Sequence, residues 1–386
     1  MKIFCLGAAG RICREAVHDL VTHSEFEQIV LGDYDLSAAE EVKSRLNDRR
    51  LSAVKVDVRN VPETAALMRG FDVVMDGTRI TLNGHSTEAI ARAGCHGVNL
   101  NGFGAEDQWA HLFHEAGRAF VPGFGMTPGL TQMMAMRAAG EMDRVEEVFV
   151  SHGAFRPIAF SPAILETTVY EYAPDLPSRV VFENGRLLQV PPFSRPKKIL
   201  LPEPFGETVQ YIIPHSETLT LAKALEPKGV RLIEVRGTWP APNMSLLKGL
   251  HEYGILSNPK VRFKGAEAGL MSLIGDHLLA CEAGRTTSLY GYALHVEVTG
   301  SRAGQRKRAV LTHTHPASDG SVPDWAGLRA YTRNVGIPLA IAAEYLARGR
   351  VKKTGVLIPE EAFVPEEIFA ELGQRSIFVH EQWSEE

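Results

Sequence analysis

Short apolar runs alternate with segments of helical period along the first third of the chain. Residues 2–6 make an apolar run of strand length, interrupted by Gly7-Ala8-Ala9-Gly10. Residues 11–21 then carry Ile12, Ala16, Val17, Leu20 and Val21 at helical spacing. A second apolar run over 28–32 stops at Asp33. The same alternation predicts helices over 37–46, 63–68, 86–93 and 109–116, and strands over 51–58, 71–75, 97–100 and 119–121. The run FDVVM at 71–75 has the character of a strand buried on both faces. Strand-then-helix order sustained through residue 121 implies an α/β fold, a Rossmann doubly wound parallel sheet.

Beyond residue 145 the pattern changes. Strand-like runs over 145–151, 179–182, 209–213, 230–237, 289–299 and 306–313 adjoin one another with few helices between (162–170, 216–225, 244–253 and 270–279). Asn184-Gly185 is a two-residue hairpin turn between RVVFE and RLLQV. A second α+β domain of largely antiparallel sheet is expected, serving substrate binding and dimerisation. Residues 325–350 return to a helix that Pro338 should bend or restart, followed by a helix over 365–372 and a strand over 376–380. The expected division is a Rossmann domain at 1–123, a substrate domain at 124–325, and C-terminal helices at 326–386 folding back on the first.

Composition narrows the class. Hydrophobic residues at 45% and charged residues at 23% are ordinary for a globular chain. A net charge of −5 offers no attraction to nucleic acid or to an anionic membrane. Cys5, Cys13, Cys95 and Cys281 form no CxxC pair, and the chain opens directly into a strand. No apolar run reaches the ~18 residues a membrane span needs. The expectation is a soluble, cytoplasmic protein.

The candidate chemistry begins at the first turn. Gly7 lets the chain leave the strand sharply, Ala9, Gly10, Arg11 and Ile12 lead into the helix, and amides at a helix N-terminus favour a pyrophosphate. Asp33 can accept from both ribose hydroxyls and would repel a 2′-phosphate, so NAD is expected rather than NADP. Asp57 and Val58 at the end of the third strand, and Gly77, Thr78 and Arg79 after the fourth, fall where ligands of open α/β sheets bind. A glycine turn that binds nothing is the plainer alternative.

Three glycines and two prolines lie within 122–129, a loop that includes Thr127 and opens the methionine-rich helix 130–140. It reads equally as a wall of the nicotinamide site or as a simple domain junction. Hydride transfer to a nicotinamide calls for a proton acceptor as well, for which His152 and His215 are the candidates, with Tyr170 and Tyr172 behind them. Arg156 and Arg333 are candidates to hold a substrate carboxylate, or else surface ion-pair arginines. His313 and His315 share a strand face, yet nothing nearby completes a familiar zinc spacing, so no metal is expected.

Three stretches resemble the saccharopine dehydrogenase-like family, on its lysine 6-dehydrogenase and carboxynorspermidine-type branch. They are the first nucleotide unit with DVVMDGTRITLNGHSTEAIARAGCHGVNLNG, then VPGFGMTPGLTQMMA, then RNVGIPLAIAAEYLARGRVKKTGVLIPEEAF. The resemblance implies an NAD(P)-dependent oxidoreductase acting at a C–N bond of an amino acid, and a homodimer. The chain departs from the family at Asn99, where many relatives have an acid. It also reads Gly237-Thr238-Trp239-Pro240-Ala241-Pro242 where lysine dehydrogenases tend to have Tyr-Pro-Gly-His. Oxidative deamination of a diamino acid leads. A reductive condensing enzyme of the saccharopine or carboxynorspermidine reductase type, and a non-catalytic NAD-binding regulator, are the alternatives.

Overall fold

A computed structural model describes residues 1–102, 106–281 and 289–385. The chain forms two compact units, Met1–Arg137 with Thr332–Phe378, and Ala138–Tyr331 with Val379–Glu386. The first unit begins with β1 (Lys2–Leu6), β2 (Gln28–Asp33), β3 (Leu51–Lys55), β4 (Val73–Asp76), β5 (His96–Asn99) and β6 (Ala119–Val121). The second holds β7 (Arg144–Phe155), β8 (Val180–Glu183), β9 (Arg186–Gln189), β10 (Lys197–Leu201), β11 (Gly206–Ile212) and β12 (Leu232–Thr238). It continues with β13 (Lys260–Phe263), β14 (Ala266–Gly269), β15 (Gly291–Arg302) and β16 (Gln305–Thr314). β17 (Gly355–Val356) belongs to the first unit, and β18 (Phe378–Glu385) lies almost wholly in the second.

In the first unit the strand order is β17-β6-β5-β4-β1-β2-β3, every pair parallel. This is the expected doubly wound sheet, and its order reverses at β1, which lies between β2 and β4. Burial on both faces explains the near-continuous apolar strands: Ile3 to Leu6 and Val73 to Asp76 are buried throughout. Glycines make room inside this core. A Cβ at Gly32 would come within 2.5 Å of the Phe4 ring, and one at Gly97 within 2.5 Å of the Phe120 ring. β3 stops at Lys55, short of the expected residue 58. The Asp57 carboxylate accepts from the Arg59 amide at 3.1 Å, a local turn that competes with the sheet ladder.

The helix Arg329–Ala347 runs through Pro338 without interruption. Proline forfeits one backbone hydrogen bond there, but Ile337, Leu339, Ala340 and Ile341 around it are all buried, and that packing holds the helix. Farther on, Arg375 is buried and ties the helix Pro365–Gly373 to two others. It meets Asp19 at 2.9 Å and Glu344 at 3.1 Å.

The second unit contains a nine-stranded sheet ordered β10-β11-β12-β7-β15-β16-β18, with β8 pairing β12 and β9. β12 and β7 run parallel; the pairs β10–β11, β11–β12, β7–β15, β15–β16, β8–β12 and β8–β9 are antiparallel. Asn184 and Gly185 have φ of 47° and 81°, the left-handed pair that a tight hairpin between β8 and β9 demands. The terminal strand corrects one expectation. It joins β16 in the second sheet rather than following the C-terminal helices.

Candidate active site

The carboxyl ends of β1, β2 and β4 lie side by side, with Leu6 opposite both Gly32 and Asp76. Gly7 leaves β1 at a φ of +65°, and a Cβ on it would approach the Gly77 carbonyl oxygen to 2.9 Å. Gly10 donates to the Gly7 carbonyl and accepts from Arg14, closing a tight loop onto the helix Cys13–His23. The helix starts two residues later than its apolar pattern suggests, because Ala9 to Ile12 are used in the turn. Gly10 and Arg11 are exposed and Ala9 and Ile12 half-buried at this opening.

Asp33 fastens the turn to the end of β2. One carboxylate oxygen accepts from the Ala9 amide at 2.9 Å and the other from the Asp35 amide at 3.0 Å. Each oxygen keeps a second lone pair for a ribose hydroxyl. Across β4, buried Asp76 accepts from Ser86 Oγ at 2.6 Å and from the Thr78 amide at 2.9 Å, which shapes the Gly77-Thr78 loop. Burial pushes the Asp76 carboxyl above its ordinary range. Arg79 is exposed beyond it. Asp57 and Val58 follow β3 at the same end of the sheet. The Asp57 carboxylate pairs with Arg59 through two contacts of 2.8 and 2.6 Å, while Val58 packs into the core. Glycine turn, exposed helix opening and rigidly held acid fit the pyrophosphate and ribose of a nicotinamide dinucleotide.

The loop over 122–129 belongs to this unit. Asn99, the departure noted above, organises it: its Oδ1 accepts from the Gly123 amide at 3.0 Å while its Nδ2 donates to Glu106 at 3.3 Å. An acid at 99 would lack that donor. Thr127 is half-buried within the loop. Arg333 is buried on the helix Arg329–Ala347, 2.7 Å from His18 Nδ1 and 3.5 Å from Glu15. Its contacts bind helix to helix.

A second constellation lies entirely within the other unit. β7 places His152 between Gly237 of β12 and Leu294 of β15. The imidazole needs the glycine, since a Cβ at 237 would sit 2.6 Å from His152 Nε2. His152 is 1% exposed, and neither ring nitrogen has a hydrogen-bond partner among the described residues. His215, between β11 and the helix Glu217–Leu225, stacks on it with ring centroids 5.4 Å apart and planes inclined by 16°. Trp239 and Tyr292 close around the same ring at 5.9 and 5.7 Å.

Charge divides this cluster. His215 Nε2 is 3.8 Å from Glu171 and its Nδ1 is 3.5 Å from Glu217. Burial alone would lower its pKa, but the two carboxylates, Glu217 foremost, outweigh burial and hold it up at about 10. His152 is driven well below its ordinary value by burial first and by the neighbouring His215 second. Arg156, just beyond β7, is 2% exposed and donates to Thr168 Oγ1 at 2.8 Å and to the Pro157 carbonyl at 3.1 Å. The rings of Tyr331, Trp239 and Phe160 lie 5.5 to 5.9 Å from its guanidinium. No carboxylate pairs with it among the described residues, and its Nε has no hydrogen-bond partner there.

The structure therefore brings His152, His215 and Arg156 together. It turns Tyr170 toward Ser178, 3.0 Å from its Oγ, and buries Tyr172 against Trp239 and Phe193. Sequence reasoning did not single out Glu171, Trp239, Tyr292 or Tyr331. Their only signal is position, at element ends on strands and helices far apart in the chain. His313 accepts from the Leu294 amide at 3.2 Å, and His315 stacks on Trp325 at 5.6 Å. No group of three or more His, Cys, Asp or Glu is placed to hold a metal among the described residues, and no helix there is long and apolar enough to cross a membrane.

Known proteins carry the same organisation. The saccharopine dehydrogenase (L-Glu forming) of Saccharomyces cerevisiae is 15% identical, with 99% of each chain covered and a TM-score of 0.70. A homospermidine synthase of Legionella pneumophila, solved in complex with NAD, is 11% identical over 99% of this chain and 91% of that one, with a TM-score of 0.66. At these identities the likeness is one of fold. Residues 3–118 match the saccharopine dehydrogenase NADP binding domain and residues 125–377 the saccharopine dehydrogenase C-terminal domain. Matched along nearly its whole length, the chain belongs to the saccharopine dehydrogenase family of NAD(P)-dependent oxidoreductases.

Proposed function

We propose that the protein oxidises a C–N bond of an amino acid with NAD, by oxidative deamination of the lysine 6-dehydrogenase kind. The observation that carries this reading is the divided charge of the histidine cluster. Arg156 is a buried cation without an acidic partner among the described residues, suited to a substrate carboxylate, whereas Glu171 and Glu217 together outnumber the single charge of His215 and leave a net negative charge for an ammonium. His152 stands between as a neutral base.

The chemistry then follows. An ammonium must lose a proton before hydride can leave the adjacent carbon, and a ring nitrogen of His152 accepts it. A bound nicotinamide supplies the hydride acceptor. The substrate iminium so formed takes up water; its nitrogen leaves as ammonium and the carbon keeps the water oxygen as a carbonyl. One substrate ammonium, one oxidised cofactor and one water give the carbonyl product, ammonium, reduced cofactor and a proton. NAD is the preferred form in this reading. A 2′-phosphate would meet the Asp33 carboxylate, and the nearby cation Arg59 is already paired with Asp57.

A second reading, reductive condensation of an amine with a carbonyl compound, draws on the rings of Trp239, Tyr172 and Phe193, which suit an alkylamine cation. The test is reduced-cofactor formation, followed by absorbance, with NAD or NADP and a panel of diamino acids, opines and carboxyalkyl diamines. Turnover of a diamino acid with release of ammonia supports deamination. Reduced-cofactor consumption that requires both an amine and a carbonyl compound would replace it with condensation. Cofactor binding with silence across the panel in both directions would favour the regulator.

A further inference from the structure

Both ring nitrogens of His215 face carboxylates, Glu171 at 3.8 Å and Glu217 at 3.5 Å. A neutral imidazole would present a lone pair to one of the two. Only the imidazolium offers a proton to each, and at 8% exposure little water reaches the ring to substitute for either. The His152 ring lies nearly parallel to this cation at 5.4 Å, with Arg156 as a second positive neighbour. Glu217 is the one carboxylate that acts on His152 from close by, and Tyr292 covers the ring from β15.

We propose that Glu171 and Glu217 are positioning residues that hold His215 as a permanent imidazolium flat against His152, so that His152 serves as a neutral proton acceptor. The division of labour is a consequence of the stack. Two imidazoles so close cannot both be charged in a buried site, and the carboxylates decide which one is. His215 is then fixed charge, and the proton that moves is carried by His152. The inference rests on the reaction proposed above for its use, but the charge arrangement itself is measurable without turnover.

The experiment is an NMR titration of ¹⁵N-histidine-labelled full-length protein, in the wild type and in Glu217→Gln and Glu171→Gln. In the wild type His215 is expected to stay protonated through neutral pH and to titrate at about 10, while His152 stays neutral into the acid range. In either variant His215 should lose its proton earlier, and Glu217→Gln, which also removes the carboxylate acting on His152, should leave the His152 titration in the acid range or lower. The His215 titration should fall by at least about one pH unit, a tenfold change in proton affinity. Glu217→Asp should restore the wild-type titrations in part. A neutral His215 in the wild type, or a His215 titration that ignores both substitutions, would overturn the proposal. If Glu217→Gln fails to fold, the wild-type titration and Glu171→Gln still decide it. Titrations as expected with no amine oxidised would sustain the charge arrangement and remove the reaction reading instead.

Discussion

The glycine turn of the first unit and the histidine cluster of the second are assembled from differently distributed parts of the chain. Gly7, Ala9, Gly10 and Asp33 lie within one strand-helix-strand stretch and act largely through backbone groups. The cluster collects His152, Arg156, Glu171, His215, Glu217, Trp239, Tyr292 and Tyr331 from strands and helices spread along the chain from 152 to 331. The first site is a property of a short segment, and the second of a fold. A local site tolerates changes elsewhere and fails when its own geometry is touched, whereas a dispersed site fails at its side chains.

The strongest test of that contrast is His152→Asn, expected to lower kcat about 10²- to 10⁴-fold while leaving cofactor affinity measured by fluorescence titration unchanged. Equal losses in both would break the separation. Next comes Arg156→Met, which removes a charge-assisted contact worth about 1.5–3 kcal/mol and should raise KM by roughly ten- to a hundredfold for a carboxylate substrate. The corresponding decarboxylated amine should be nearly indifferent to the change, and an equal loss for both substrates would unseat Arg156 from its assigned role.

On the side of the turn, a Cβ at Gly77 would overlap Cys13 Sγ. Gly77→Ala should therefore destabilise the first unit by about 1–3 kcal/mol in urea unfolding. Adding Cys13→Ala should recover part of that loss, because the obstructing sulfur is gone. The smallest effect belongs to neither site. Burial raises the Glu344 carboxyl to about 7, against the pull of Arg375. Its folded pKa thus exceeds its unfolded one, so its contribution is full below the ordinary carboxylate range and fades as pH rises toward 7. Glu344→Gln should flatten the pH dependence of stability across that window, read as the urea midpoint against pH.

What could be read from the sequence follows the same division. Alternating strands and helices, the Asn184-Gly185 hairpin and the Gly7-to-Asp33 unit are periodicity and turn chemistry, both local. His152, His215 and Arg156 were recognisable as residue types able to do the work. What joins them was mostly hidden: Glu217 stands two residues from His215, but Glu171 ends a distant helix and Gly237 matters only because β12 lies beside β7. Arg333 shows the same limit from the other side. An arginine in a family-like stretch suggested a carboxylate ligand, yet His18 and Glu15 on a helix more than three hundred residues earlier surround it. β10 and the β13–β14 hairpin went unread, being short edge pieces with little apolar alternation.

The threading of the chain has a consequence for its birth on the ribosome. β17, which completes the first sheet beside β6, emerges only after the whole of 138–331, and β18, which extends the second sheet, emerges after β17. Neither unit can be finished before its interrupting partner has been synthesised. The nascent protein must therefore hold an open parallel edge at β6 until 355–356 has emerged, and the second sheet stays without its β18 edge until 378–385 has followed.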